Sequence, residues 1–172
     1  MYELDIVDYG LEFDGLTRRS VTDGIVLHNT GAEADTDTDA ESIHEYHLSI
    51  GWAGIGYHYV IRKDGTIEKG RPEWAVGSHC YGENSHTLGI HLSGNFNLVK
   101  PTAAQVESCA LLIAHICKKY DFPPDREHVF GHRELNDDTD CPGDNLQALL
   151  DDGTITGKAV WYQENPKGDE EA

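Results

Sequence analysis

Apolar positions in this chain fall in short runs divided by polar, glycine-rich stretches. GIVLHNT (24–30) is apolar and then polar, which predicts a short buried strand running into a loop. In YHYVIRKDGTIEKG, Tyr57, Tyr59 and Ile61 alternate with His58, Val60 and Arg62. Asp64-Gly65 supplies a tight-turn signal, and Thr66-Ile67 starts a return strand, so the segment predicts a hairpin. TLGIHLSG (87–94) and EHVFGH (127–132) predict two further strands.

Helical spacing is clearest over 103–120, where Val106, Cys109, Ala110, Ile113, Ile116, Cys117 and Tyr120 mark one face. Thr102 and Gln105 form a capping box at its start, and Pro123-Pro124 are expected to stop it. Thr38 and Glu41 fit a second capping box, opening a helix through about Leu48. GAEADTDTDA (31–40) reads as an exposed loop, GWAGIG (51–56) as a glycine-rich turn, and a last helix is expected after Asp144. Strands alternating with a few helices predict a single α/β domain with a mixed sheet. Residues 1–23 show little pattern and are expected to pack on the domain of 24–160, with 161–172 as an acidic tail.

A chain of 172 residues is long enough to bury a core without disulfides. No apolar run approaches the ~20 residues of a membrane span. The start, MYELDIVDYG, lacks the basic and apolar segments of a signal peptide, so synthesis in the cytoplasm is expected. The formal charge of −18 argues against a phosphate-binding surface and opposes anionic lipid, so neither nucleic acid nor membrane is expected as a partner. It fits ordinary solubility or adaptation to high salt. Cys80, Cys109 and Cys117 read as small, buried, free thiols. Cys109 and Cys117 would lie about 12 Å apart along one helix, too far for a bridge.

His28 ends the run Ile25-Val26-Leu27, His132 follows Val129-Phe130, and Cys141 opens a Cys-Pro-Gly turn nine residues later. Two imidazoles and one thiolate match the preference of zinc, and three protein ligands leave a fourth position for water. Such an ion keeps a net positive charge and lowers the pKa of bound water toward roughly 7. Ten histidines make any such trio a weak signal by itself.

The strings around the trio carry more. LHNTG, GWAGIGYHYVIRKDG, WAVGSHC, LGIHLSGNF and GHRELNDDTDCPG, in this order, resemble the zinc-dependent N-acetylmuramoyl-L-alanine amidases of type 2, a family that includes phage lysozyme-like amidases and peptidoglycan recognition proteins. The likeness covers about residues 24–150. It implies a central mixed sheet flanked by helices, with a substrate cleft across one face. It also implies Zn2+ held by His28, His132 and Cys141, and hydrolysis of the amide between N-acetylmuramic acid and L-alanine in peptidoglycan. Tyr57 matches a tyrosine whose hydroxyl lies near the reacting water. Thr139, two before the cysteine, matches a position of Lys or Thr that helps to stabilise the oxyanion. One departure is that the interval from His132 to Cys141 is a residue longer than in many relatives.

The same resemblance makes His47, His79 and Asn84 candidate substrate contacts. On sequence alone His44 and His47 read as an amphipathic helix surface, His91 and His115 as structural, and Trp52 and Trp74 as packing residues or sugar-stacking rings. The expected protein is a monomeric endolysin of phage or prophage origin, made without a signal peptide and acting on the cell wall after release. Two alternatives stand beside it: a non-catalytic peptidoglycan-binding module of the same fold, and a cysteine hydrolase using Cys141 with His132. The retained Cys141 argues against the first, and the second needs an activated thiolate and an orienting residue.

Overall fold

Two apolar hexapeptides form the middle of the sheet. In the computed structural model, which describes residues 1–166, β2 (Gly24–Asn29) and β5 (Thr87–Leu92) are buried along their whole length. They pair in parallel, with Ile25 opposite Leu88 and His28 opposite His91. Strands covered on both faces read as near-continuous apolar runs, and these two do. β6 (Val129–Gly131) adds in parallel on the far side of β2. On the other side β3 (Tyr59–Ile61) pairs in parallel with β5 and antiparallel with β4 (Ile67–Lys69). The expected hairpin is therefore present, with Tyr59 opposite Lys69. The two-residue β1 (Ile6–Val7) closes the edge in parallel with β4, giving the mixed order β1-β4-β3-β5-β2-β6.

Alternation along each strand divides the interior in two. Ile25, Leu27, Leu88, Ile90, Leu92, Tyr59 and Ile61 join the larger core, which α2 (Ala103–Tyr120), α3 (Asp144–Asp151) and α4 (Thr154–Glu164) cover. Val60 belongs to a smaller cluster under α1 (Ala40–Ser49), with Ala40, Ile43 and Ile55. Each fully buried Ile or Leu is worth about 1.5–3 kcal/mol. A one-residue slip of β2 would bury His28 in the larger core and expel Leu27, so the apolar pattern also fixes which way His28 faces.

The helices start where their caps allow. Thr102 accepts from the Gln105 N–H, and Gln105 Oε1 accepts from the Thr102 N–H, completing the capping box. The Gln105 amide also donates to the carbonyls of Ile61 at 3.2 Å and Ser93 at 2.9 Å, tying α2 to the ends of β3 and β5. α2 ends on Asp121, in the left-handed region at φ 60°, before the prolines are reached. α1 is capped by Asp39 rather than Thr38, with its carboxylate accepting from the Ser42 N–H at 2.7 Å. The single helix expected after Asp144 is two, broken at Gly153, whose φ of 83° suits glycine. α4 continues to Glu164, beyond the expected start of the tail at 161, and residues 167–172 of that tail lie outside the described residues.

The patternless N-terminal stretch contributes β1 and the buried Arg19, which donates to the Ala75 carbonyl at 2.8 Å and to Thr22 at 2.7 Å. All four cysteines are free thiols. No helix among the described residues is long and apolar enough to cross a membrane.

Candidate active site

His28 and His132 meet because their strands are neighbours. Leu27 pairs with Gly131, so His28, still within β2, and His132, just past the end of β6, stand at the same level. The two imidazole rings lie 4.6 Å apart, His132 opening a short 3-10 turn. Cys141 is brought back by backbone bonds. The Arg133 N–H donates to the Cys141 carbonyl at 2.7 Å, and the Gly143 N–H to the Asp140 carbonyl at 2.9 Å. Arg133 Nε donates to the Asp140 carbonyl at 3.0 Å, and Nη1 to Asp144 at 2.9 Å. The interval from His132 to Cys141 is thus cinched by the residue that follows His132.

One donor atom from each of His28, His132 and Cys141 lies within 4.8 Å of the other two. His28 Nδ1 is 3.6 Å from Cys141 Sγ. A tetrahedral zinc with bonds of about 2.0–2.3 Å spaces its ligand atoms about 3.3–3.8 Å apart, so small side-chain adjustments suffice. His132 Nε2 is buried with no partner among the described residues. An unpaired buried nitrogen costs about 1–3 kcal/mol, which a bound cation would remove. The donor set and this orphaned nitrogen both fit zinc.

The electrostatics suit a metal and oppose a free nucleophile. Burial, reinforced by the neighbouring His79 and His132, holds His28 well below the ordinary histidine pKa, and burial lowers His132 as well. Both are then neutral, the form that binds metals. Burial pushes the Cys141 thiol up to about 12, although the Asn29 N–H at 3.4 Å favours the thiolate. A thiol held that high is no nucleophile near neutral pH, which removes the support for a cysteine hydrolase. A divalent cation reverses the balance by deprotonating a coordinating thiol.

The other expected residues fall in three kinds of place. The Tyr57 ring lies 5.0 Å from that of His28 and 4.9 Å from that of His91. Burial, then the Cys141 charge, raises its phenol above the ordinary value, so the hydroxyl keeps its proton and is available as a donor. Thr139 Oγ1 accepts the Cys141 N–H at 3.1 Å, which leaves its own hydroxyl proton free to donate. His47 is buried rather than on the helix surface. Its Nδ1 accepts from the Gly56 N–H at 2.9 Å, and its ring packs 4.4 Å from Trp52. His44 is likewise buried and holds the Ile55 N–H at 3.0 Å, so α1 uses both histidines to pin the glycine-rich turn.

Two expected substrate contacts hold protein partners. His79 is buried behind His28, with its Nδ1 2.9 Å from His28 Nε2. Asn84 Oδ1 accepts the N–H groups of His79 and Cys80 at 2.9 and 3.0 Å and holds that loop in shape. The part Arg133 plays in holding the Cys141 loop was not read from the sequence, although its place beside His132 could have suggested it.

A cavity of about 640 Å³ lies away from this site, lined by Tyr2, Glu107, Lys158, Trp161 and Tyr162. Glu107 already pairs with Lys158 and Tyr162, so those polar groups satisfy one another.

Comparison with known proteins decides the family. The family described as N-acetylmuramoyl-L-alanine amidase matches residues 18–144. The chain belongs to that family. It is 34% identical to the endolysin of Escherichia phage T7 over 116 residues, 64% of this chain and 77% of that protein. It is 32% identical to peptidoglycan-recognition protein SC2 of Drosophila melanogaster over 127 residues, 70% of this chain and 68% of that one. Among solved structures, the amidase LysC from Clostridium intestinale superposes with a TM-score of 0.80 at 35% identity, covering 92% of this chain and 99% of that one. Drosophila PGRP-LB, at 24% identity and a TM-score of 0.75, shares the fold. As an amidase of this family, the chain has a mixed six-stranded sheet with helices on both faces and a His-His-Cys cluster at one end of it.

Proposed function

We propose that this amidase holds one zinc ion with His28, His132 and Cys141 and hydrolyses the bond between the lactyl carbonyl of N-acetylmuramic acid and L-alanine of the stem peptide. The observation that carries the proposal is the convergence of one donor atom from each of the three residues within 4.8 Å, together with a buried imidazole nitrogen of His132 that has no partner among the described residues. When bound, zinc supplies Lewis acidity to the scissile carbonyl and lowers the pKa of a water beside it.

The chain's own residues do the rest. Tyr57 keeps its phenolic proton and donates a hydrogen bond toward the attacking water or the developing oxyanion. Thr139, anchored through its oxygen to the Cys141 N–H, turns its free O–H toward the same oxyanion. Asn29 and Thr139 hold the two ends of Cys141, its sulfur and its backbone, and fix the direction of the third ligand. His47, packed on Trp52 and 5.9 Å from the Tyr57 ring, belongs to the wall on which the substrate rests.

The endolysins among its relatives favour a lytic role: a monomer made in the cytoplasm that meets peptidoglycan after release. Mass analysis of digested peptidoglycan tests the bond assignment. Stem peptides with a free L-alanine amino group, and glycan strands with free lactyl carboxylates, are expected. Cut glycan strands or new D-alanine termini would refute it.

A further inference from the structure

Behind the metal cluster runs a chain of hydrogen bonds whose direction can be read from its far end. The Glu83 backbone carbonyl accepts from Thr87 Oγ1 at 2.7 Å, and a carbonyl can only accept. The Thr87 proton is therefore committed to it, and Thr87 Oγ1 is left to accept from His79 Nε2 at 3.4 Å. With its proton on Nε2, neutral His79 presents a bare Nδ1 to His28 Nε2 at 2.9 Å. That short contact then requires the proton of His28 to sit on Nε2. His28 Nδ1, the atom 3.6 Å from Cys141 Sγ, is left with a free lone pair.

The surroundings hold the His79 ring in this pose. A Cβ on Gly89 would fall 2.6 Å from His79 Cγ, and one on Gly77 would fall 2.8 Å from its Cδ2, so both positions leave room for the ring only as glycine. Asn84 fixes the His79 backbone through its N–H at 2.9 Å. The residue is buried, and each ring nitrogen has a protein partner.

We propose that His79 is a positioning residue, which fixes the tautomer of His28 and so aims the Nδ1 lone pair of His28 at the metal. Thr87 and the Glu83 carbonyl set its polarity. The inference rests on the zinc reading above for its consequence, but not for the tautomer, which the metal-free protein already carries. Partners behind a metal-bound imidazole change metal affinity by about 10–100-fold when removed.

The test uses zinc itself and the whole chain. In His79→Leu the acceptor is lost at similar volume, and zinc affinity by chelator competition should fall about 10–100-fold. In His79→Asn the side-chain oxygen restores an acceptor near the Nδ1 position, and affinity should recover most of that loss. Equal affinity of His79→Leu and wild type, or equal losses in the two variants with the fold intact by circular dichroism, would overturn the proposal. Nitrogen-15 correlation spectra of the metal-free wild-type protein give an independent answer even if both variants misfold. A protonated Nε2 and bare Nδ1 on His28 are expected, and the opposite tautomer overturns the assignment. Wild-type protein that shows the expected tautomer but binds no zinc would sink the metal reading instead.

Discussion

The Arg133 N–H donates to the Cys141 carbonyl at 2.7 Å, and this bond closes the loop that carries Cys141 to His28 and His132. The side chain of Arg133 reinforces it through the Asp140 carbonyl and Asp144. Its pairing with Asp144 is largely exposed and adds little, whereas a bond from a charged donor to a carbonyl is worth about 1–3 kcal/mol. Arg133→Ala should lower stability by about 1–2 kcal/mol and weaken zinc binding several-fold, read by denaturant midpoint and chelator competition. Unchanged zinc affinity would show that the backbone bond alone sets the loop.

Cys141→Ser separates ligand from nucleophile. Replacing the sulfur by a hydroxyl removes a soft anionic ligand, so zinc content and turnover should fall together. Turnover that persists after zinc is lost would move the chemistry away from the cluster.

Tyr57→Phe removes one hydroxyl and keeps the ring that packs on His28 and His91. The expected result is a fall in kcat of about 100–1000-fold, the range for loss of a transition-state donor, with zinc content unchanged. A lower zinc content would instead make the hydroxyl part of the binding shell. Thr139→Val should behave in the same direction and also loosen Cys141, because it removes the acceptor of the Cys141 N–H.

Buried histidines give the fold an acid limit. Burial lowers His47 to about 4 and both His58 and His91 to about 3. Unfolded, each titrates near 6.5, so below that pH the unfolded chain binds protons that the folded chain refuses. Their contribution to stability is complete above pH 6.5 and is lost as pH falls, at about 1.4 kcal/mol per pH unit for each histidine. Denaturant midpoints of the metal-free protein should drop steeply between pH 6.5 and 5. A flat profile across that window would contradict the neutral, buried assignment.

Much of this architecture was legible because local pattern and burial agree. GIVLHN and TLGIHL became the central strands, and Thr102 with Gln105 capped α2. The trio was visible because each member adjoins a strand end or a turn. Pairings that depend on distant segments were not. β1 is two residues long and exists only by its register with β4. The string around His79 carries its resemblance to a cleft-lining segment but not its contacts with His28 and Thr87, which depend on β2 pairing with β5. The polarity of His44 and His47 suggests a helix surface, yet their ring nitrogens satisfy the N–H groups of a buried turn.

Surface charge shapes activity on whole cells. A net charge of −18 repels an anionic wall, and salt shortens that repulsion to about 8 Å at physiological ionic strength. Lysis should therefore rise with moderate salt, while cleavage of a small neutral muramyl peptide stays level. A flat or falling profile on cells would count against repulsion as the limit.

Zinc reconstitution tests the central claim most directly. Stripped protein is titrated with Zn2+ while the release of L-alanine amino groups from peptidoglycan is followed. Activity should be absent at the start, rise linearly, and saturate at one zinc per chain. Full activity in the stripped protein, or cleavage indifferent to added zinc, would contradict an active site built on His28, His132 and Cys141.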